Sequence, residues 1–171
     1  IRKLGLDPNY FHVLNVGLFT RDKNQGYVFE IAKKLKDYKI HYHFVGNQAE
    51  NFKDYWQPLM NFRLESCFIH GERNDVDLFY QAADLVLHPS LNELSPLAVR
   101  EATSYDLPVY MFNLPVYDNM YEPYKNIKFL SKDVDKDSQL ILDNFNIKRI
   151  DDDSSFGSSL SKEYEELTGL K

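Results

Sequence analysis

The chain has a single cysteine, Cys67, set inside an apolar run. An intramolecular disulfide framework is therefore excluded, and the composition fits a reducing compartment. Basic runs are absent too, and the formal net charge is −6. That balance argues against nucleic acid as a partner and means any phosphate site must be built locally. No apolar stretch approaches the ~20 residues needed to span a bilayer. Internal repeats, low-complexity tracts and metal-ligand spacings are missing as well. What remains is a globular composition, 43% hydrophobic and 27% charged, in 171 residues, enough for one core and too little for two large lobes. The chain opens at Ile1 rather than Met, which we read as a piece of a longer protein.

Short apolar runs alternate with longer amphipathic segments. Phe11–Gly17, His41–Gly46, Ser66–Gly71, Asp84–His88, Val109–Phe112 and Ile127–Leu130 read as six strands. Gln25–Tyr38 reads as a helix, with Tyr27, Val28, Ile31, Ala32 and Leu35 on one face and lysines opposite. Further helices are predicted around Glu50–Phe62, over Asp75–Ala83, after Pro96 and over Asp133–Phe145. Strands and helices alternating at this spacing give an α/β fold, a Rossmann-like doubly wound parallel sheet with helices on both faces. Residues 1–150 are expected to form that domain. The polar stretch Asp151–Ser155 is expected to break it from a final helix over Leu160–Leu170.

In such sheets ligands bind beyond the carboxyl ends of the strands, where strand order reverses. With a Rossmann-like order, strands one and four are neighbours there. The loop after strand one carries Arg21, Asp22 and Lys23, and the loop after strand four runs from Ser90 to Ser95 through Glu93. Glu93 and Glu101 are eight residues apart, which on one helix is a rotation of about 800°, so they would face different ways. They fit together better if Glu93 is on the loop and Glu101 on the helix. Ser95 is a good N-cap and Pro96 a good first helical residue, which starts the helix between them. The N–H groups of Leu97 and Ala98 then form an anion site, one donor short because Pro96 has none. Glu101 falls just over a turn later, a diphosphate-to-ribose kind of separation. Arg21 and Lys23 alone are more often turn charges, and Glu93 and Glu101 alone read as solvated surface residues; it is these four on one rim that indicate a site. His12, His41 and His43 read as packed or edge histidines, and Cys67 as core. His70 and His88 end strands on the functional rim.

These residues resemble a known family. Val16-Gly17 through Lys23, Phe44-Val45-Gly46, Phe68–Gly71 with Leu78–Asp84, and Pro89-Ser90 through Glu93 and Glu101-Ala102 to Leu107-Pro108-Val109 follow in family order. The chain is similar to the C-terminal, nucleotide-sugar-binding domain of retaining GT-B glycosyltransferases, the Glu-x7-Glu group. The resemblance implies transfer of a sugar from a nucleotide diphosphate sugar to an acceptor, with retention. Lys23 and Glu93 would be the catalytic residues, Lys23 on the diphosphate and Glu93 on hydroxyls of the transferred sugar. Gly17, Arg21, Gly71, Ser95, Leu97 and Glu101 would bind substrate, Glu101 through the ribose. It further implies no cofactor and no metal, an acceptor-binding domain upstream without which the fragment is inactive, and a cytoplasmic location, with any peripheral membrane contact left to that domain.

The sequence departs from the family at Leu18, where a diphosphate-binding arginine is usual, and at Leu94, Pro96 and Asp106, where small residues or glycine are usual. Arg21 offers a cation three residues on from Leu18. These departures keep two other readings open: a degenerate nucleotide-sugar-binding module without catalysis, and a nucleotide-sugar epimerase of the same architecture.

Overall fold

In the computed structural model, residues 2–93 and 96–168 are described, with side chains for 3–93 and 96–151. Among the described residues six strands form one sheet: β1 (Phe11–Val16), β2 (Ile40–Val45), β3 (Cys67–Gly71), β4 (Leu85–His88), β5 (Val109–Met111) and β6 (Ile127–Phe129). Every pairing is parallel, and the order is β3-β2-β1-β4-β5-β6. This is the Rossmann order. It makes β1 and β4 neighbours at the point where the chain changes direction across the sheet. The helices are α1 (Gln25–Lys34), α2 (Lys53–Asn61), α3 (Val76–Ala82), α4 (Leu97–Ser104) and α5 (Val134–Thr168).

The inner strands β1, β2, β4 and β5 are almost continuously buried because helices pack on both faces, while the edge strands β3 and β6 are partly exposed. On one face lie Val13, Tyr42, Phe44, Leu85 and Leu87, all buried. Phe29 of α1 stacks there on Phe44, with ring centroids 4.7 Å apart. Cys67 belongs to this face too, and burial pushes its thiol up to about 11, so it is an unreactive core group. Register places Leu14, Val86 and all of the chain's five histidines, His12, His41, His43, His70 and His88, on the opposite face. Phe79 of α3 meets His70 edge-on there, at 4.7 Å.

The carboxyl ends of β1 and β2 approach unusually closely. Gly17 N–H donates to Val45 O at 2.9 Å, and Gly46 N–H to Gly71 O at 2.9 Å, so the ladder continues past the strands. A Cβ on Gly46 would stand 1.9 Å from the Gly17 carbonyl oxygen. Only glycine fits, and the rim can stay this narrow because Gly46 has no side chain.

Two helix boundaries differ from expectation. Helix α4 starts at Leu97 with Pro96 as its N-cap, at ψ 116°. Proline fixes φ but not ψ, and here ψ stays extended, which moves the helix start one residue on. Pro96 therefore removes no donor from the first helical turn. Ser95, expected as the cap, lies outside the described residues, as does Leu94. Helix α5 runs without interruption through Asp151–Ser155, where a break was expected. Asp and Ser lower helix propensity but do not block a helix as proline does, and no proline lies in the segment. The compact units divide earlier, between Asp137 and Ser138.

In the first unit, buried Asp137 accepts from the Tyr27 hydroxyl, from Ser131 N and Oγ (both 2.8 Å) and from Lys132 N (3.1 Å). These bonds tie the turn after β6 to α1, and burial and Asp137 together push the Tyr27 phenol far up. In the second unit the Arg149 guanidinium lies 5.5 Å over the Phe145 ring. No helix among the described residues is long and apolar enough to cross a membrane.

The close approach at the rim makes one substitution costly. Gly46→Ala should destabilise the chain by about 3 kcal/mol or prevent folding, because the methyl meets backbone that cannot rotate away. Urea unfolding monitored by circular dichroism measures it.

Candidate functional site

The loop after β1 is folded by its own short bonds. Asn24 N–H donates to Thr20 O at 3.1 Å, and Lys23 N–H to Thr20 Oγ1 at 3.3 Å. Asn24 takes the left-handed conformation at φ 60°, which its short polar side chain tolerates. Phe19 turns inward and is fully buried, while Leu18 turns out to solvent. The result carries Lys23 back across the end of β1. A Cβ on Gly17 would stand 3.4 Å from Lys23 Cδ, so glycine there leaves the lysine its path.

That loop is stitched to the one after β4. The Asp22 carbonyl accepts from Leu91 N at 2.7 Å and from Ser90 Oγ at 3.0 Å. Asn24 Nδ2 donates to Pro89 O at 3.1 Å. The two loops that the strand order made neighbours are thus one hydrogen-bonded unit.

Glu93 sits where they meet. One carboxylate oxygen, Oε1, accepts from the Lys23 ammonium, and the other, Oε2, lies 2.5 Å from His88 Nε2. Glu93 and His88 side chains are only 9% and 3% exposed, against 30% for Lys23, so the cluster opens to solvent at its lysine end. Burial and the Lys23 charge push the His88 imidazole down to about 4. A neutral ring must use an N–H to meet a carboxylate, so His88 donates from Nε2. Burial also lowers the Lys23 ammonium below its ordinary range, against a smaller upward pull from Asp22. One negative charge is thus held between a cation and a neutral donor.

The other expected site residues that are described lie at the carboxyl ends of the strands or on α4. Gly17 lies beneath Lys23. Leu97 opens α4 with its side chain exposed, leaving first-turn N–H groups at the rim. Glu101 stands apart from the cluster, further along α4, against the Tyr80 phenol, which burial and the Glu101 charge push far up. Tyr80 also lies 3.3 Å from Ala98 O and stacks on Tyr105 at 5.4 Å. Arg21 is exposed, with its guanidinium 5.9 Å over the Tyr55 ring of α2, away from Glu93. Gly71 ends β3 at φ +71°, and beyond it Arg73 makes two bonds, 2.8 and 2.7 Å, to Asp75. Sequence reasoning missed His88 as the partner that orients Glu93. The only signal was its place as the last residue of β4, five positions before the glutamate.

A parallel sheet in this order, with a cation, a carboxylate and a helix start at its switch point, is a Rossmann-like α/β domain of the GT-B kind. The chain belongs to the family described as glycosyl transferases group 1, whose model matches residues 1–143. It is 32% identical over 117 residues to the UDP-Gal:alpha-D-GlcNAc-diphosphoundecaprenol alpha-1,3-galactosyltransferase of Escherichia coli, covering 65% of this chain and 30% of that protein. It is 30% identical over 105 residues to an uncharacterized glycosyltransferase of Haemophilus influenzae, covering 59% and 29%. The chain therefore spans under a third of the length of these curated relatives. Among solved structures it is similar to Anabaena HepE in complex with UDP-glucose, with a TM-score of 0.74 at 20% identity, covering 86% of this chain and 42% of that one. WaaG, a glycosyltransferase involved in lipopolysaccharide biosynthesis, gives 0.68 at 20% identity, covering 85% and 40%.

The neutral state of His88 has a consequence for pH. The unfolded imidazole takes its proton near 6.5 and the folded one only near 4, so between those values the unfolded chain binds more protons. This contribution is complete above pH 6.5 and is lost as pH falls toward 4, by about 3 kcal/mol. Stability of His88→Gln, which keeps a donor but does not titrate, should fall less than that of the parent over this window. Urea melts at pH 7, 5.5 and 4 on both proteins make the comparison, and parallel loss in the two would contradict it.

Proposed function

We propose that the chain is the donor-binding half of a retaining glycosyltransferase, taking a sugar from a nucleoside diphosphate sugar. The observation that carries this reading is the Lys23–Glu93–His88 cluster at the β1/β4 switch point, beside the start of α4. Without donor, Glu93 neutralises Lys23. An incoming diphosphate competes for the ammonium and releases Glu93 Oε1, which becomes an acceptor for a sugar hydroxyl, while His88 keeps hold of Oε2. As the glycosidic bond to the β-phosphate breaks, charge builds on the leaving nucleoside diphosphate. Lys23 and the α4 first-turn N–H groups are placed to stabilise it, with no metal in the step.

Glu101, beyond the first turn of α4, is the acceptor for the ribose hydroxyls, since carboxylates suit vicinal diols. Its contact with Tyr80 orients it. Gly71 lets the base approach the end of β3. The Escherichia coli relative is named for a UDP-galactose donor, and HepE was solved with UDP-glucose, which makes a UDP-sugar the first donor to try. We further propose a cytoplasmic protein in which another domain binds the acceptor; coverage of under a third of the curated relatives' length supports the second of these. One observation favours a second reading: Leu18, turned to solvent where the resemblance implies an arginine, suits a module that binds donor without transferring it.

Calorimetry on this chain should show weak UDP binding, reduced about tenfold or more by Lys23→Ala and by Glu101→Ala, the loss of one charge-assisted bond each. No binding at millimolar UDP would contradict the donor-site reading. Sugar transfer by the full-length protein, abolished by Glu93→Ala, would rule out the binding-only module.

A further inference from the structure

We propose that His12, His41 and His43 form a binding site for one divalent transition-metal ion of the zinc, cobalt or nickel kind, toward the amino ends of β1 and β2. The site is separate from the donor rim. The three ligand nitrogens lie within 4.8 Å of one another. Parallel register sets His12 opposite His41 and points both, with His43, to the same face of the sheet.

The outer nitrogens of two rings are already engaged as bound histidines engage theirs. His12 Nε2 lies 2.7 Å from the Asp7 carbonyl, which can only accept. His12 therefore carries its proton on Nε2 and turns its Nδ1 lone pair toward His43. His43 Nδ1 lies 2.9 Å from His70 Nε2; in the tautomer that donates there, His43 Nε2 turns a lone pair back toward His12. Those two nitrogens are 2.9 Å apart. A cation between them relieves the repulsion of facing lone pairs. An ion about 2.1 Å from each nitrogen would see them at an angle of roughly 90°, as adjacent ligands of a six-coordinate centre.

His41 supplies the third nitrogen. Its ring is stacked on Tyr10 at 3.7 Å and edge-on to Phe68 at 4.8 Å. It also lines a cavity of about 500 Å³ with Tyr10, Leu64 and Glu65, so the cluster reaches solvent at His41. Burial and mutual repulsion keep His41 and His43 neutral, the form in which imidazole binds metal. The same contacts would also suit a metal-free relay, Asp7 O–His12–His43–His70, in which every ring donates from Nε2. That relay leaves His41 out, so His41 decides between them.

Titration of the 171-residue chain with Co²⁺, followed by visible absorption, tests the proposal. The expected result is one equivalent bound, with d–d bands shifted and strengthened relative to the free aqua ion, displaced by Zn²⁺, and a metal-dependent rise in Tm. His41→Ala should weaken binding by at least about tenfold, while His88→Gln, which removes a histidine of the same face, leaves it unchanged. His41→Gln serves if the alanine variant does not fold. A spectrum at millimolar Co²⁺ no different from that of the free aqua ion with no rise in Tm, or full affinity retained without His41, would overturn the proposal. Neither outcome bears on UDP binding, which is measured separately.

Discussion

The adjacency of β1 and β4 is the constraint from which the site follows. In a parallel sheet every loop after a strand emerges on the same rim, but only at the reversal of strand order do two loops leave a gap between diverging helices. Here the gap lies between the loops carrying Lys23 and Glu93. The Asp22 carbonyl closes it by accepting two bonds from the facing loop, and the paired glycines of β1 and β2 keep the neighbouring rim narrow.

The Lys23–Glu93 pair is better understood as a device for binding than for stability. Taking a carboxylate almost out of water costs several kcal/mol, and an ion pair open at its lysine end returns little of that. The carboxylate is held instead by two donors of different kinds, one charged and exchangeable, one neutral and buried. A phosphate can displace the first without disturbing the second. The chain's net charge of −6 would work against an anionic ligand at long range, so the attraction has to come from this one corner. A helix start and a half-buried ammonium supply it at short range, where screening by salt is weak.

The sheet was legible because its cause is local. Val, Ile, Phe and Leu runs ending in Gly17, Gly46 and Gly71 mark strands, and the helical spacing after Asn24 marks a crossover. Strand order is not local, and it was inferred from the fold class rather than read. The same division holds for the site. Lys23 and Glu93 could be named from their loops, but the buried His88 that orients Glu93 could not, since its role depends on a loop doubling back over five residues. The histidine cluster was half legible: His41 and His43, two apart on β2, share a face, but His12 reaches them from β1 with no sequence spacing to betray it. Asp151–Ser155 reads as a break because it is polar, but a polar run without proline does not stop a helix, and α5 continues through it. The Asp137–Tyr27 tie joins residues 110 apart and leaves no trace in either neighbourhood.

The central claim is that the β1/β4 corner binds the diphosphate of a nucleotide donor. Backbone amide NMR of the chain titrated with UDP addresses it most directly. The account predicts shifts centred on Gly17, Lys23 and the first turn of α4 from Leu97 to Val99, with smaller ones near Glu101. Shifts confined to α2 or to the amino ends of the strands, or none at saturating UDP, would contradict it.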